Sequence, residues 1–161
     1  MNKTRFLLDE GVIRLAELQE DYAGNPDATC LELLLAIERH CHSLLLSLEI
    51  WRRYCHHIDA VHQQPRRVFP GVMRIMVTLL ANMEKDSRYL SEADLVSPPD
   101  LERYVKDDDQ PFLQAAISDN GSVFVTIDGP LIQGINDGAF EAQFGFQVLR
   151  PNKALELIAD P

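Results

Sequence analysis

The chain has 161 residues, of which 46% are hydrophobic and 25% charged, and its formal net charge is −10. This size and composition predict one globular domain over residues 1–161. With neither a recognisable signal peptide nor an apolar stretch of spanning length, we expect a cytoplasmic protein and no membrane contact. The negative charge excludes a basic surface covering the whole domain, so any contact with nucleic acid has to be local.

Strands alternate with helices along most of the chain. Short apolar runs predict strands over residues 5–8, 43–46, 122–126 and 146–149. Helical periodicity predicts helices over residues 11–20, 30–39, 71–83, 110–117, 131–135 and 152–158, and a further helix that begins at Leu48 and is capped by Ser47. A loop is expected over residues 63–70. This alternation predicts an α/β fold with a mostly parallel sheet covered on both faces.

Acidic residues stand where the chain leaves predicted strands or enters a helix. Asp9 ends the first strand, Asp109 precedes the helix at 110–117, and Asp128 follows the strand at 122–126. Ligands of open α/β sheets bind at the carboxyl ends of the strands, so these carboxylates should converge. Carboxylates are suitable ligands for Mg²⁺ or Mn²⁺. The alternative is that Asp107–Asp109 cap a helix and that Asp128 is a turn residue before Gly129-Pro130.

The order of these motifs resembles that of the PIN-domain nucleases, particularly the toxin components of bacterial toxin–antitoxin pairs. The motifs are Leu8-Asp9, Asp109-x-x-Phe112-Leu113-x-Ala115-Ala116, Val125-Thr126-x-Asp128, Gly145-Phe146-x-Val148-Leu149-x-Pro151 and Ala154-Leu155-x-Leu157-Ile158. The resemblance covers somewhat over half of the chain. It is strongest over residues 107–158 and absent over residues 63–97.

The resemblance implies a PIN-like three-layer α/β/α sandwich with Mg²⁺- or Mn²⁺-dependent endoribonuclease activity. By position, it implies that Asp9, Asp109 and Asp128 bind the metal, and that Glu49 completes the catalytic set. Thr126 and Asp108 would lie next to the metal ligands. The implied partners are RNA, a small antitoxin protein and a second copy of the chain in a homodimer.

Two positions depart from the family pattern. The first acid is followed by Glu10-Gly11, where the family commonly has Thr-Asn. The second departure concerns the helix after the second strand, where the family has a Ser, then a Glu after five intervening residues, and then a bulky residue. If Ser47 and Tyr54 are aligned with the Ser and the bulky residue, Arg53 takes the place of the glutamate. If the alignment starts from Ser43 instead, Glu49 takes that place. Arg53 would pair with Glu49 or with a site aspartate.

These departures keep two other functions open. One is a PIN-like protein that has lost catalysis and binds RNA or protein. The other is an acidic α/β domain in which the aspartates only cap helices and turns, so that no metal binds.

Two further clusters suggest binding chemistry. The arginines Arg52, Arg53, Arg66, Arg67 and Arg74 form either a solvated face or a local phosphate contact, and we assign RNA contact to Arg52 and Arg53. The residues His40, Cys41, His42, Cys55, His56, His57 and His62 are of the types that bind zinc, but their spacing fits no standard finger, which favours capping or surface histidines. The odd number of cysteines predicts reduced thiols in the core.

Overall fold

The computed structural model describes residues 3–62, 70–81 and 87–159. Its strands are β1 (Arg5–Leu8), β2 (Ser43–Ser47), β3 (Ser87–Leu90), β4 (Val123–Val125) and β5 (Gln147–Leu149). The helices in the described ranges are α1 (Glu10–Leu18), α2 (Thr29–Arg39), α3 (Leu48–His62), α4 (Pro70–Ala81), α5 (Gln110–Ile117), α6 (Gly129–Asp137), α7 (Phe140–Phe144) and α8 (Pro151–Ala159).

All five strands are parallel and lie in the order β3-β2-β1-β4-β5. The central strand β1 pairs with β2 on one side and with β4 on the other. Strands β2 and β4 are buried along their whole length, as a sheet covered on both faces requires. The predicted α/β/α architecture with a parallel sheet is thereby confirmed.

The strand order places a crevice beside the carboxyl end of β1. The chain runs outward from β1 to β2 and β3, and then returns to pair β4 on the opposite side of β1. At such a reversal the connections leave the sheet in opposite directions, and the gap between them is where α/β proteins bind ligands. Here the gap lies between the ends of β1 and β4.

Four of the described helices contact the buried sheet: α3 and α4 contact β2, α5 contacts β1 and β2, and α8 contacts β4. On one side α2 contacts α1, α4 and α8, and elsewhere α5 contacts α3 and α7. Ser47 caps α3 as predicted, because the N–H of Ile50 donates to Ser47 Oγ over 3.3 Å. None of the described helices is long and apolar enough to cross a membrane.

Two elements were not predicted from the sequence, β3 and α7. Strand β3 is at the edge of the sheet and exposes Arg88 and Tyr89, so it lacks the apolar run of a buried strand. Helix α7 has five residues between Ala139 and Gly145, which both have left-handed backbone angles, and it is too short to show a period. The predicted loop at residues 63–70 lies outside the described residues except for Pro70, which begins α4, and the predicted end of α4 at Met83 also lies outside them.

The prediction that all three cysteines lie in the core was wrong for two of them. Cys30 is buried, but Cys41 is exposed and Cys55 is half-buried. Cys41 follows the end of α2 in a left-handed conformation, and Cys55 lies in the middle of α3, so neither belongs to the buried face that the apolar pattern predicts.

Candidate metal centre

Asp9 is the first residue after β1, and its backbone is fixed by the neighbouring strand. Its N–H donates to the carbonyl oxygen of Val125 over 2.9 Å. Its carboxylate accepts a hydrogen bond of 2.6 Å from the hydroxyl of Thr126, whose side chain is fully buried. The end of β4 therefore holds both the backbone and the side chain of Asp9.

Asp128 follows β4 and is the N-cap of α6. One of its carboxylate oxygens accepts from the N–H of Leu131 over 3.0 Å, and its own N–H donates to Thr126 Oγ1 over 3.1 Å. The Thr126 hydroxyl thus accepts from Asp128 and donates to Asp9. The capping role considered for Asp128 is present, and it uses one of the two carboxylate oxygens.

Asp109 stands at the N-terminus of α5 without capping it through its side chain. Its carbonyl oxygen accepts from the N–H groups of Phe112 and Leu113, both at 3.2 Å, and so begins the helix. In the same acidic run, Asp107 accepts a hydrogen bond from the Gln110 side chain. The Asp109 carboxylate is therefore not used for helix capping.

Burial and mutual repulsion act on the ionisation of two of these acids. Burial raises the pKa of Asp9, and the charge of Asp128 raises it further, while the Thr126 hydrogen bond lowers it. Burial also raises the pKa of Asp109, followed by the charges of Asp9 and Asp128, against the lowering effect of Lys106. The three carboxylates are thus close enough to repel one another.

The donor set has the chemistry that a hard cation requires, but it is not arranged as a finished ligand cage. Among the described residues, no group of three or more His, Cys, Asp or Glu side chains is placed to hold a metal ion. Two of the carboxylates point instead at donors of the protein, Asp9 at Thr126 and Asp128 at Leu131. Each retains acceptor sites, because an ionised carboxylate has about four lone-pair positions.

Tyr54 fixes the end of β1 immediately before Asp9. Its buried hydroxyl accepts from the N–H of Leu8 over 3.2 Å and donates to the Leu8 carbonyl oxygen. Pairing between β1 and β2 involves Arg5 and Phe6, so the hydroxyl replaces the sheet partner at Leu8. From the sequence, Tyr54 served only as the bulky residue of an alignment, and this contact was not predicted. Its position one helical turn after Ile50, on the buried face of α3, could have indicated that its side chain points at the sheet.

Glu49 is not among the carboxylates that meet at the strand ends. It is exposed on α3, and its carboxylate accepts from Arg53 Nε over 3.1 Å. Arg53 also donates to the Asp108 carbonyl oxygen over 2.8 Å, lies 3.7 Å from the Glu10 carboxylate, and has its guanidinium carbon 5.6 Å from the Phe112 ring centre. Of the pairings considered for Arg53, the structure has the one with Glu49.

The capping geometry bears on how α3 aligns with the family pattern. Ser47, not Ser43, is at the helix start, because Ser43 is the first residue of β2. Of the two alignments with the predicted PIN-like pattern, the one that begins at the observed helix cap is the one that puts Arg53 at the place of the helix glutamate. The Arg53 guanidinium lies between Glu10 and Asp108. These two residues are next in sequence to Asp9 and Asp109.

The remaining residues predicted to bind RNA or zinc are spread over several elements. Arg52 is exposed on α3, and Arg74 is exposed on α4, while Arg66 and Arg67 lie outside the described residues. The histidines and cysteines form no metal-binding group in the described part of the chain, and the His62 side chain is outside it. His57 Nε2 lies 3.0 Å from the Glu17 carboxylate, and His42 Nδ1 accepts from the N–H of Thr4.

Burial raises the pKa of the Cys30 thiol to about 11, followed by the charge of Asp27, so this thiol is not a nucleophile at neutral pH.

Comparison of the chain with protein-family models, with curated proteins and with solved structures found no match.

Proposed function

We propose that this chain is a metal-dependent endoribonuclease of the PIN-like type. The observation that supports the proposal best is that Asp9, Asp109 and Asp128 lie at the crevice between β1 and β4, where burial and, after it, the charges of neighbouring aspartates raise the pKa of Asp9 and of Asp109. Among the described residues these three carboxylates form no salt bridge. Partly buried carboxylates without an ion-pair partner are costly for the fold, and such groups concentrate at functional sites.

Asp9, Asp109 and Asp128 would hold Mg²⁺ or Mn²⁺. When bound, the cation supplies Lewis acidity toward a phosphodiester and a water molecule. Thr126 orients the Asp9 carboxylate through its hydroxyl, and Tyr54 keeps the end of β1 in place.

The second candidate function is a PIN-like binding module for RNA or protein, and the position of Arg53 favours it. The guanidinium occupies the place of an expected acid and is held by Glu49 and by the Asp108 carbonyl oxygen. A fixed cation there reduces the negative potential that binds a second metal ion, while it can contact a phosphate.

A toxin role with an antitoxin partner, a homodimer and a cytoplasmic location belong to the same proposal. The first two are supported by the family resemblance, and a symmetric dimer is the commonest soluble assembly. Light scattering of the purified chain, alone and with the product of a neighbouring reading frame, would test both assemblies.

The test of the function combines calorimetric titration with Mn²⁺ or Mg²⁺ and cleavage of a mixed RNA pool. The variants are Asp9→Asn and Asp128→Asn, and the matched control is Asp137→Asn, at the exposed opposite end of α6. Because changes next to metal ligands commonly cost about 10- to 100-fold, loss of a ligand should reduce cleavage by about 100-fold or more. The control should keep wild-type cleavage.

The outcomes separate the three functions. Metal binding and cleavage that are lost together in Asp9→Asn and Asp128→Asn support the nuclease. Metal binding by the wild type without cleavage points to the binding module. A wild type that binds neither cation leaves the aspartates as helix caps and turn residues.

A further inference from the structure

A cavity with a volume of about 840 Å³ opens beside Asp128. Its wall consists of the first residues of α6 and α8, Lys106, and the turn that joins α1 to α2. Cavities that hold a small organic ligand have volumes of about 300 to 1,000 Å³. The cavity therefore has room for a ligand of nucleotide size next to one of the three aspartates.

A second cavity of about 410 Å³ shares part of its wall with the first, including Tyr22. The Tyr22 side chain lines both cavities and is 83% exposed, the highest value among the large hydrophobic side chains of the described residues. An aromatic ring with both faces open to solvent is costly for a soluble domain, and such rings are enriched where a protein binds a flat or apolar group.

The turn that carries Tyr22 is held by its own hydrogen bonds. The Asp21 carboxylate accepts from the N–H groups of Ala23 and Asn25, each over 2.8 Å, and hydrogen bonding with Asn25 lowers the pKa of Asp21. An antiparallel bridge between Glu20 and Pro26 closes the turn. The Tyr22 ring is thus presented by an ordered backbone, which reduces the entropy lost when a ligand stacks on it.

Positive side chains lie on both sides of Tyr22. Lys106 and Arg150 line the larger cavity and Arg14 lines the smaller one. None of the three forms a salt bridge with another described residue. Arg150 instead lies across the turn before α6, with Nη1 3.4 Å from the Ile127 carbonyl oxygen.

Two acids of the same walls are engaged within the protein. Asp21 holds its own turn, and Asp27 accepts from the N–H and the hydroxyl of Thr29 at the start of α2. Asp128 of the larger cavity belongs to the candidate metal centre, and Glu20 of the smaller cavity is exposed. Among the described residues none of these acids forms a salt bridge with Arg14, Lys106 or Arg150, so these cations are available for an anionic ligand in spite of the net charge of −10.

We infer that the two cavities form the path of an unpaired RNA segment, with a base stacked on Tyr22 and phosphates held by Arg150, Lys106 and Arg14. Cations that follow a backbone, interleaved with an aromatic ring for stacking, are the features by which proteins bind single strands without reading their sequence. The path ends at Asp128 and so delivers a phosphodiester to the aspartates. The inference rests on the proposed function, because the strand it places is the substrate of that reaction.

The test measures fluorescence anisotropy of a labelled single-stranded RNA with the full chain in EDTA, where binding is separated from cleavage. Loss of one base–aromatic stack should weaken binding of the Tyr22→Ala protein by about 5- to 150-fold. Tyr22→Phe keeps the ring and should bind as the wild type does. Tyr89→Ala removes an exposed tyrosine from the distant edge strand β3 and is the matched control, with wild-type affinity expected.

Arg150→Gln tests the phosphate contact independently of stacking. It should weaken binding and reduce the slope of log affinity against log salt by about 0.7, the value for one phosphate contact on a single strand. Tyr22 and Arg150 are both exposed, so the fold should be unchanged, which circular dichroism of each variant checks.

Affinities of Tyr22→Ala and Arg150→Gln equal to the wild type would overturn the inference. A wild type that binds no single-stranded RNA would also overturn it. Binding that depends on Tyr22 in a protein that does not cleave RNA with Mn²⁺ supports the path and refutes the nuclease. Cleavage with a KM that is unchanged in Tyr22→Ala supports the nuclease and refutes the path.

Discussion

The two ends of the parallel sheet differ in whether their buried or partly buried aspartates are paired with arginines. At the amino end, Asp119 is 2% exposed and forms salt bridges with Arg5 and with Arg88, the latter over 2.8 Å. At the carboxyl end, Asp9, Asp109 and Asp128 meet with a hydroxyl, a backbone N–H and Lys106 as their nearest favourable groups. Among the described residues the same residue type is paired with arginines at one end and forms no salt bridge at the other.

The difference indicates where the fold is built for stability and where for chemistry. Asp119 ties β1 and β3 to the loop before β4, across the strands that it joins. The carboxyl-end aspartates repel one another, which lowers stability and is tolerated where a cation or substrate supplies the missing charge. Substitutions at the two ends should therefore change stability with opposite signs.

The largest effect is expected at Asp119. Asp119→Asn should lower the free energy of unfolding by about 3 kcal/mol, near the lower limit for a broken buried ion pair, because Arg5 and Arg88 are partly exposed and regain water. Urea denaturation measures the change, with the exposed Asp137→Asn as control. A cost below about 1 kcal/mol would show that the amino end does not depend on this pair.

Divalent cations should stabilise the protein from the carboxyl end. At a free Mn²⁺ concentration of about 100 times Kd, the free energy of unfolding should rise by about 2.7 kcal/mol. Asp9→Asn and Asp109→Asn should abolish this gain, whereas Asp137→Asn should retain it. Equal stabilisation of wild type and Asp9→Asn by Mn²⁺ would place the cation elsewhere.

Tyr54→Phe tests how the carboxyl end of β1 is held. Removing the hydroxyl leaves the N–H and carbonyl groups of Leu8 without their partner in a buried position, at a cost of about 1 to 3 kcal/mol. If Tyr54 positions Asp9, Mn²⁺ affinity should fall as well. Unchanged Mn²⁺ affinity in a destabilised variant would restrict Tyr54 to a role in folding.

The sequence predicted most of the sheet and the positions of Asp9 and Asp128 after its strands, because both follow from buried apolar runs. Asp9 and Asp128 could be placed from the strands that precede them, and strand ends share an edge in a parallel sheet. β3 and α7 could not be found, since an exposed edge strand and a five-residue helix give no apolar period.

What the sequence could not give was the direction of individual side chains. The hydrogen bond between Thr126 and Asp9 joins residues 117 positions apart, and that between Tyr54 and Leu8 joins residues 46 apart. Glu49 was considered for the metal site from its spacing alone. The cap at Ser47 fixes the helix register, and in that register Glu49 is exposed and bound to Arg53.

The pH dependence of stability should distinguish the carboxyl end by its sign. Burial and the charge of Asp128 raise the pKa of Asp9 in the folded protein above its ordinary value of 3.8. At pH values between the ordinary and the raised pKa, the folded protein therefore binds more protons than the unfolded chain. Stability therefore falls as pH rises through this window and stays lower above it. In EDTA, Asp9→Asn should be more stable than the wild type at about pH 7 by about 0.2 to 1 kcal/mol, with the gain lost below the window.

Asp94 provides a comparison of opposite sign. Hydrogen bonds from Ser91 lower the pKa of Asp94, so its contribution is present above its ordinary pKa and is lost as pH falls through the lowered one. Asp94→Asn should therefore reduce stability at neutral pH, where Asp9→Asn increases it. Chemical denaturation at several pH values measures both, and a loss of stability in Asp9→Asn at neutral pH would contradict the charge repulsion.

The smallest change in stability is expected at Glu49. This position tests whether α3 contributes a carboxylate to the site formed by Asp9, Asp109 and Asp128. As an exposed partner of Arg53 one helical turn away, Glu49 contributes about 0.3 to 0.5 kcal/mol, so Glu49→Gln should cost no more than this. The variant should bind Mn²⁺ as tightly as the wild type, because its carboxylate is held by Arg53 and does not meet the three aspartates. A clear fall in Mn²⁺ affinity would show instead that Glu49 leaves Arg53 for the cation, and would make the helix acid a ligand despite the register of α3.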